Sequence, residues 1–212
     1  LTSLILIGFG IYLEWREYAL SKNPSQRQIK TFKNVSEFYT YVRKRVEQAE
    51  NQVDDLTCGP FEAELLSSSD KEALDKYVEA IAKICIKKKV VYREVMSFPP
   101  IKRVDRAEAM INKNIYSYHL RYYEYESKAI PPLMSFMIID EKEIIFGLYR
   151  HPYLPPEGEI RIAVTDREIV PLFQDYFNTI WHGAKIIKER ERVDTALLQD
   201  IRKRWAPHLI EK

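Results

Sequence analysis

The sequence predicts an α/β domain, a mixed β-sheet with helices on both faces, preceded by an N-terminal transmembrane helix. Three observations predict it. Runs with a 3.6-residue apolar period alternate along the chain with short β-rich runs. Two of the β-rich runs flank Asp140-Glu141-Lys142, a tight polar turn suited to a hairpin. The first thirteen residues, LTSLILIGFGIYL, carry no charge at all.

That opening segment is apolar on every side and holds Gly8 and Gly10, so it does not read as the amphipathic helix of a soluble domain. Thirteen helical residues rise about 20 Å, against about 30 Å of hydrocarbon. Tyr12, Trp15 and Tyr18 form an interfacial aromatic belt, and Arg16, Lys22, Arg27, Lys30 and Lys33 follow it. Positive residues after a span place the downstream part in the cytoplasm. The expectation is a single-pass protein with a transmembrane helix and interface over residues 1–20, its full extent left open, and membrane lipid as a partner. The polar stretch SKNPSQRQIK suggests a linker over 21–31. A folded domain over 32–190 and a charged helix or tail over 191–212 complete the layout.

Three helix starts share one capping pattern: Asn34-x-x-Glu37, Ser69-x-x-Glu72 and Thr165-x-x-Glu168. Each opens an apolar stripe. The first has Val35, Phe38, Val42, Val46 and Ala49, and the second has Leu74, Tyr77, Val78, Ile81, Ile84 and Cys85. The third has Ile169, Phe173, Tyr176, Phe177, Ile180, Ala184 and Ile187. A weaker helix is expected over 102–112 and a charged one from Arg192 towards Trp205. Strands are expected over 52–57, 89–98, 115–125, 134–139, 143–149 and 159–164.

The 212 residues suit one domain with appendages, and 46% hydrophobic with 30% charged content is ordinary for a folded chain. With 33 basic and 31 acidic residues the net charge is +2, so no global field draws the chain to nucleic acid. Cys58 and Cys85 are too few for a disulfide framework and lack metal-ligand spacing. Cys85 falls in an apolar stripe and is expected in the core. The strand IYSYHLRYYEYE offers aromatic faces and Arg121, but its glutamates oppose phosphate, and tyrosine is a good strand former anyway. Nucleic acid is therefore set aside as a partner. Lys87-Lys88-Lys89 reads as a solvated turn after a helix C-terminus.

From Leu133 to Gly147 the chain reads LMSFMIIDEKEIIFG. This stretch resembles the phospholipase D superfamily, whose HxKxxxxD signature runs along a strand into a hairpin, then along an apolar strand ending near glycine. The resemblance extends over 32–188 in the order of elements. It takes in the helix from Asp70 to Ile86, the basic turn at 87–89 and the strand VVYREVM. Phe177-x-x-x-Trp181-x-x-Ala184 is similar to the family's closing helix, which implies that Trp181 is buried against the sheet with Phe177 and Ala184.

With the aspartate set on Asp140, the resemblance puts the family's histidine at Leu133 and its lysine at Ser135. In the family, histidine attacks phosphorus and lysine stabilises the phosphoryl oxygens. Leucine offers no nucleophile and serine no charge, and one degenerate copy of a motif normally used twice is present. The implied protein is a catalytically inactive, membrane-anchored phospholipase D-like domain, with no catalytic residue, cofactor or metal. It would act as a binding, sensor or scaffold module, or as an accessory subunit, with a protein partner or a second copy of itself. The rival is a phosphodiesterase or nuclease with a non-standard site, in which His119 or His151 replaces the nucleophile. His182 and His208 read as structural or surface histidines.

Overall fold

The computed structural model describes residues 28–58, 68–97, 101–124, 135–147 and 161–205. The expected transmembrane segment lies outside them. Among the described residues no helix is long and apolar enough to cross a membrane.

The strands are β1 (Gln28–Phe32), β2 (Gln52–Cys58), β3 (Val91–Ser97), β4 (Tyr118–Tyr122), β5 (Ser135–Ile139), β6 (Glu143–Gly147), β7 (Arg161–Thr165), β8 (Lys185–Glu189) and β9 (Arg192–Val193). The helices are α1 (Val35–Gln48), α2 (Ser68–Lys87), α3 (Ile101–Asn112), α4 (Ile169–Gly183) and α5 (Thr195–Trp205). The strands form one sheet in the order β1-β7-β6-β5-β2-β3-β4-β8-β9. The central β2, β3 and β4 run parallel, and the other pairings are antiparallel.

Alternation along the strands divides the core into two layers. Val53, Tyr92, Tyr118, Met137 and Ile145 point to the face covered by α1, α2, α3 and α5. Leu56, Val95, Phe136, Ile138 and Ile144 point to the face covered by α4. Helices therefore lie on both faces of a mixed sheet. Trp181, Phe177 and Ala184 are all buried in the α4 layer, as expected of the closing helix, and Cys85 is buried in the other.

The Asn34 cap forms as the sequence indicates, its side chain accepting the Glu37 N–H at 2.8 Å. Lys88, in the basic turn after α2, caps a different helix: its ammonium donates to the Glu47 carbonyl of α1 at 2.7 Å. The Thr165 cap does not form. Asp166 accepts the N–H groups of Glu168 and Ile169 instead, at 2.8 and 3.0 Å, and α4 starts at Ile169.

The structure departs from the pattern at three further places. The helical period that runs on to Ile187 is a coincidence, because α4 ends at Gly183 and Ile187 is a fully buried residue of β8. The aromatic strand begins at Tyr118 and not at Ile115. Asn114 ends the preceding helix in a left-handed conformation (φ 51°), and the ammonium of Lys188 holds the carbonyls of Ile115 and Tyr118 at 2.7 and 3.0 Å. Gln28–Phe32, overlapping the stretch expected as linker, forms an edge strand paired with β7.

Candidate functional site

The hairpin β5–β6 organises one end of the sheet. Ser135 pairs with Gly147 there, and the turn at Asp140 is at the other end. Five residue steps of strand separate Ser135 from Asp140, about 17 Å. Ser135 and Asp140 therefore do not converge. Leu133 lies outside the described residues.

Asp140 has a left-handed backbone (φ 51°), a conformation that aspartate tolerates better than most residues. Its carboxylate accepts the backbone N–H groups of Asn51 at 2.8 Å and of Gln52 and Glu50 at 3.0 Å. Burial pushes this carboxyl up, but the three N–H groups outweigh it and hold the pKa below its ordinary value. Asp140 thus ties the hairpin to the turn between α1 and β2, a structural task.

At the opposite end, Ser135 shares a sheet face with Asp55 and Thr57 of β2 and Glu94 of β3. Above them α3 projects Arg103 and Arg106, one helical turn apart. Arg103 donates to Asp55 at 3.0 Å, to Glu94 at 2.9 Å and to Thr57. Arg106 donates to Glu94 at 3.2 Å. Three buried tyrosines complete the cluster: Tyr92 donates to Asp55 and Tyr118 to Glu94, both at 2.8 Å, and the Tyr77 hydroxyl is 3.1 Å from that of Tyr92.

The charges of this cluster balance, two guanidiniums against two carboxylates. Burial pushes the Glu94 carboxyl up, but Arg103 and Arg106 reverse the sign and hold it below the usual range. Burial would lower the Arg103 pKa, yet Glu94 and Asp55 raise it. The tyrosine hydroxyls are driven up by burial, with Asp55 adding to the rise at Tyr77 and Tyr92 and Glu94 at Tyr118. None of the groups with a resolved shift is poised to exchange a proton near neutrality. The cluster is built to hold α2 and α3 on the strand ends and to present polar edges there.

The sequence held a signal for this cluster that the motif reading passed over. QVDDLTC and VVYREVM place carboxylates inside central strands, where a buried charge demands a partner. Arg103 and Arg106 stand at i and i+3 on the next helix.

His119 is on the other face of the sheet. It pairs in register with Arg93 of β3, on the α4 side, with its ring half-buried and Nδ1 unpartnered among the described residues. Burial, then the charge of Lys188, lowers its pKa. The sheet separates it from Ser135, so it does not supply a nucleophile to the motif end. His182 is exposed, and Nδ1 of its ring is 2.6 Å from the Asn178 carbonyl. His151 and His208 lie outside the described residues. Among the described residues no cluster of His, Cys, Asp or Glu is arranged to hold a metal ion.

No protein-family model matches the chain, and no curated protein matches it. Solved structures do. TrmBL2, an archaeal chromatin protein whose structure shows a novel mode of DNA binding, superposes with a TM-score of 0.53 at 16% identity over 87% of this chain. The match spans 64% of the length of TrmBL2. NucT from Helicobacter pylori matches with a TM-score of 0.50 at 8% identity, covering 76% of this chain and 98% of NucT. The phosphatidylserine synthase of Haemophilus influenzae Rd KW20 gives 0.50 at 10% identity, covering 85% of this chain and 42% of the synthase. Nuc from Salmonella typhimurium, a phospholipase D family member, gives 0.46 at 13% identity over 77% of this chain and 98% of Nuc.

At these identities the likeness is one of fold. It corrects the sequence reading on one point: setting nucleic acid aside from a net charge of +2 does not stand, because a DNA-binding chromatin protein carries the same fold. The chain has a phospholipase D-like fold.

Proposed function

We propose that this chain is a nucleic-acid-binding domain of phospholipase D-like fold, working as a binding module. The observation that carries the reading is the match to the DNA-binding chromatin protein across 87% of the chain. Two features of the chain's own residues agree with it. Serine stands at the lysine position of the motif and leucine at the histidine position, so the family's covalent route has neither nucleophile nor phosphoryl clamp. Arg103 and Arg106, which α3 projects over the sheet face of Ser135, are engaged with Asp55 and Glu94, in a cluster suited to rigidity.

The test is binding of a fluorescein-labelled 20-base-pair DNA duplex, followed by anisotropy at several salt concentrations. The reading expects saturable binding that weakens steeply with salt, because contacts to phosphates release condensed counterions. Absence of binding at low salt would sink it.

A second reading is a phosphodiesterase with a non-standard residue set, favoured by the phosphatidylserine synthase among the fold neighbours. Hydrolysis of bis(p-nitrophenyl) phosphate that disappears in His151→Ala or Ser135→Ala would establish it over the binding reading. His119→Ala serves as the control, since that ring is across the sheet.

A further inference from the structure

A groove of ≈ 500 Å³ runs between the edge strand β1 and α1. Its walls include Lys30, Glu37, Tyr41, Lys44, Arg45 and Gln48. We propose that this groove is the surface that takes the phosphate backbone of the nucleic acid, with Lys30 and Lys44 as the main phosphate contacts. The proposal rests on the nucleic-acid reading above and says where on the molecule that binding occurs.

The cations of the two regions differ in state. Arg103 and Arg106 are nearly buried and bonded to carboxylates. Lys30 and Lys44 are exposed, and among the described residues neither is ion-paired. Lys33, next along the chain, is exposed as well. Glu37 is the groove's exposed carboxylate, and two unpaired lysines outnumber it.

The groove is also pre-arranged from within. Glu143 is a buried carboxylate at the start of β6, its side chain 4% exposed. Such a group is costly to bury unless it is paired and hydrogen-bonded. Its two oxygens take the Tyr41 hydroxyl and the Arg45 guanidinium, which also donates to Gln48 at 3.0 Å. Tyr41 in turn carries Lys30, whose ammonium is 4.3 Å from the ring centroid and 5.0 Å from that of Phe32. A single buried carboxylate therefore fixes Tyr41 and Arg45, and the Tyr41 ring positions Lys30. Lys44 stands three residues beyond Tyr41 on the same helix, about 5–6 Å along its surface. The result is a row of cations on a rigid wall that can follow a phosphate strand, with a tyrosine ring among them.

The experiment uses the same labelled duplex with the full chain and two double variants of equal charge change. Lys30→Gln/Lys44→Gln alters the groove, while Lys83→Gln/Lys113→Gln alters exposed lysines of α2 and the turn after α3. All four side chains are exposed, and circular dichroism melts check that both variants fold as the parent does. The groove variant is expected to bind about tenfold or more weakly at low salt, with the slope of log K against log salt reduced by about 2, since each lost phosphate contact removes about one. The control variant is expected to stay close to the parent.

If the parent binds DNA and the groove variant keeps its affinity and slope, the groove is overturned while the nucleic-acid reading stands. If both variants lose equally, bulk charge is responsible and the groove is again overturned. If the parent does not bind, both fall together.

Discussion

The carboxylate of Asp140 accepts the backbone N–H of Asn51 at 2.8 Å, joining residues 89 positions apart. The same carboxylate holds Gln52 and Glu50, so one side chain closes the β5–β6 hairpin onto the turn that leads into β2. Asp140→Ala strands these N–H groups and is expected to cost about 1–2 kcal/mol, the range of a lost helix cap. Urea melts of parent and variant at pH 7 measure it.

The same contact makes stability depend on pH in a stated direction. The Asp140 carboxyl is lower in the folded than in the unfolded state, so its contribution is fully present above the ordinary aspartate value. It is lost as pH falls through the lower, folded value. The gap between parent and Asp140→Asn should therefore be constant from neutral pH down to about 5 and shrink in the acid range below ordinary carboxylate values. A gap that grows on acidification would contradict the assignment.

Arg103 bridges the carboxylates of Asp55 and Glu94, which are 6% and 2% exposed. Removing one partner of a buried ion group leaves uncompensated charge and costs about 3–5 kcal/mol. Arg103→Ala should show that loss in a thermal or urea melt. Arg103→Lys should recover part of it, because an ammonium restores charge but not the fork that reaches both strands.

Which of these relationships were legible in the sequence follows from how local their causes are. The Asn34 cap, the apolar faces of α1 and α2, and the hairpin at Asp140 rest on neighbours within a few residues, and each formed where the pattern puts it; the face of α4 formed as well, but between bounds narrower than its pattern. The edge strand β1 was not legible, because four of its five residues are exposed and its pairing partner β7 is more than a hundred residues away. The strand β8 was hidden for a related reason: Ile187 continues the α4 stripe in sequence while serving the opposite core layer in space. Net charge concealed the groove, since a sum over 64 charged residues is blind to which lysines go without a carboxylate.

Trp181 is stacked on Phe177 at 5.9 Å, with the guanidiniums of Arg121 and Arg93 at 4.2 and 5.3 Å from its ring. Its backbone carbonyl also accepts from Arg121 at 2.8 Å. Truncating a buried tryptophan costs about 3–5 kcal/mol, a large share of the roughly 5–15 kcal/mol that holds a domain together. Trp181→Ala should unfold or strongly destabilise the chain, whereas Trp181→Phe keeps the stacking and should cost about half as much. Denaturant melts separate the two outcomes, and an equal, small loss in both would mean that α4 does not close the sheet as described.

Lys188 is 1% exposed and donates to the carbonyls of Ile115, Tyr118 and Arg190, with no carboxylate among these partners. Burial is the dominant cause that lowers its pKa. The sign of the pH effect is therefore the same as that of Asp140, in a window set by lysine and not by aspartate. A lysine depressed in the folded state binds fewer protons than in the unfolded chain between the folded value and the ordinary lysine value, so stability gains from this group as pH rises through that window. Replacing it tests the structural half of the argument. Lys188→Met keeps much of the bulk but leaves the carbonyls unpaired, at about 1–3 kcal/mol for a stranded buried group. The loss should be concentrated locally, because the bonds of Lys188 pin the turn between α3 and β4 to β8. Hydrogen exchange of the Tyr118 N–H, which is bonded to the Ile115 carbonyl at 3.3 Å, should speed up in Lys188→Met well before global unfolding. Unchanged exchange at Tyr118 alongside a global loss of stability would show that the ammonium supports the core as a whole and not this turn.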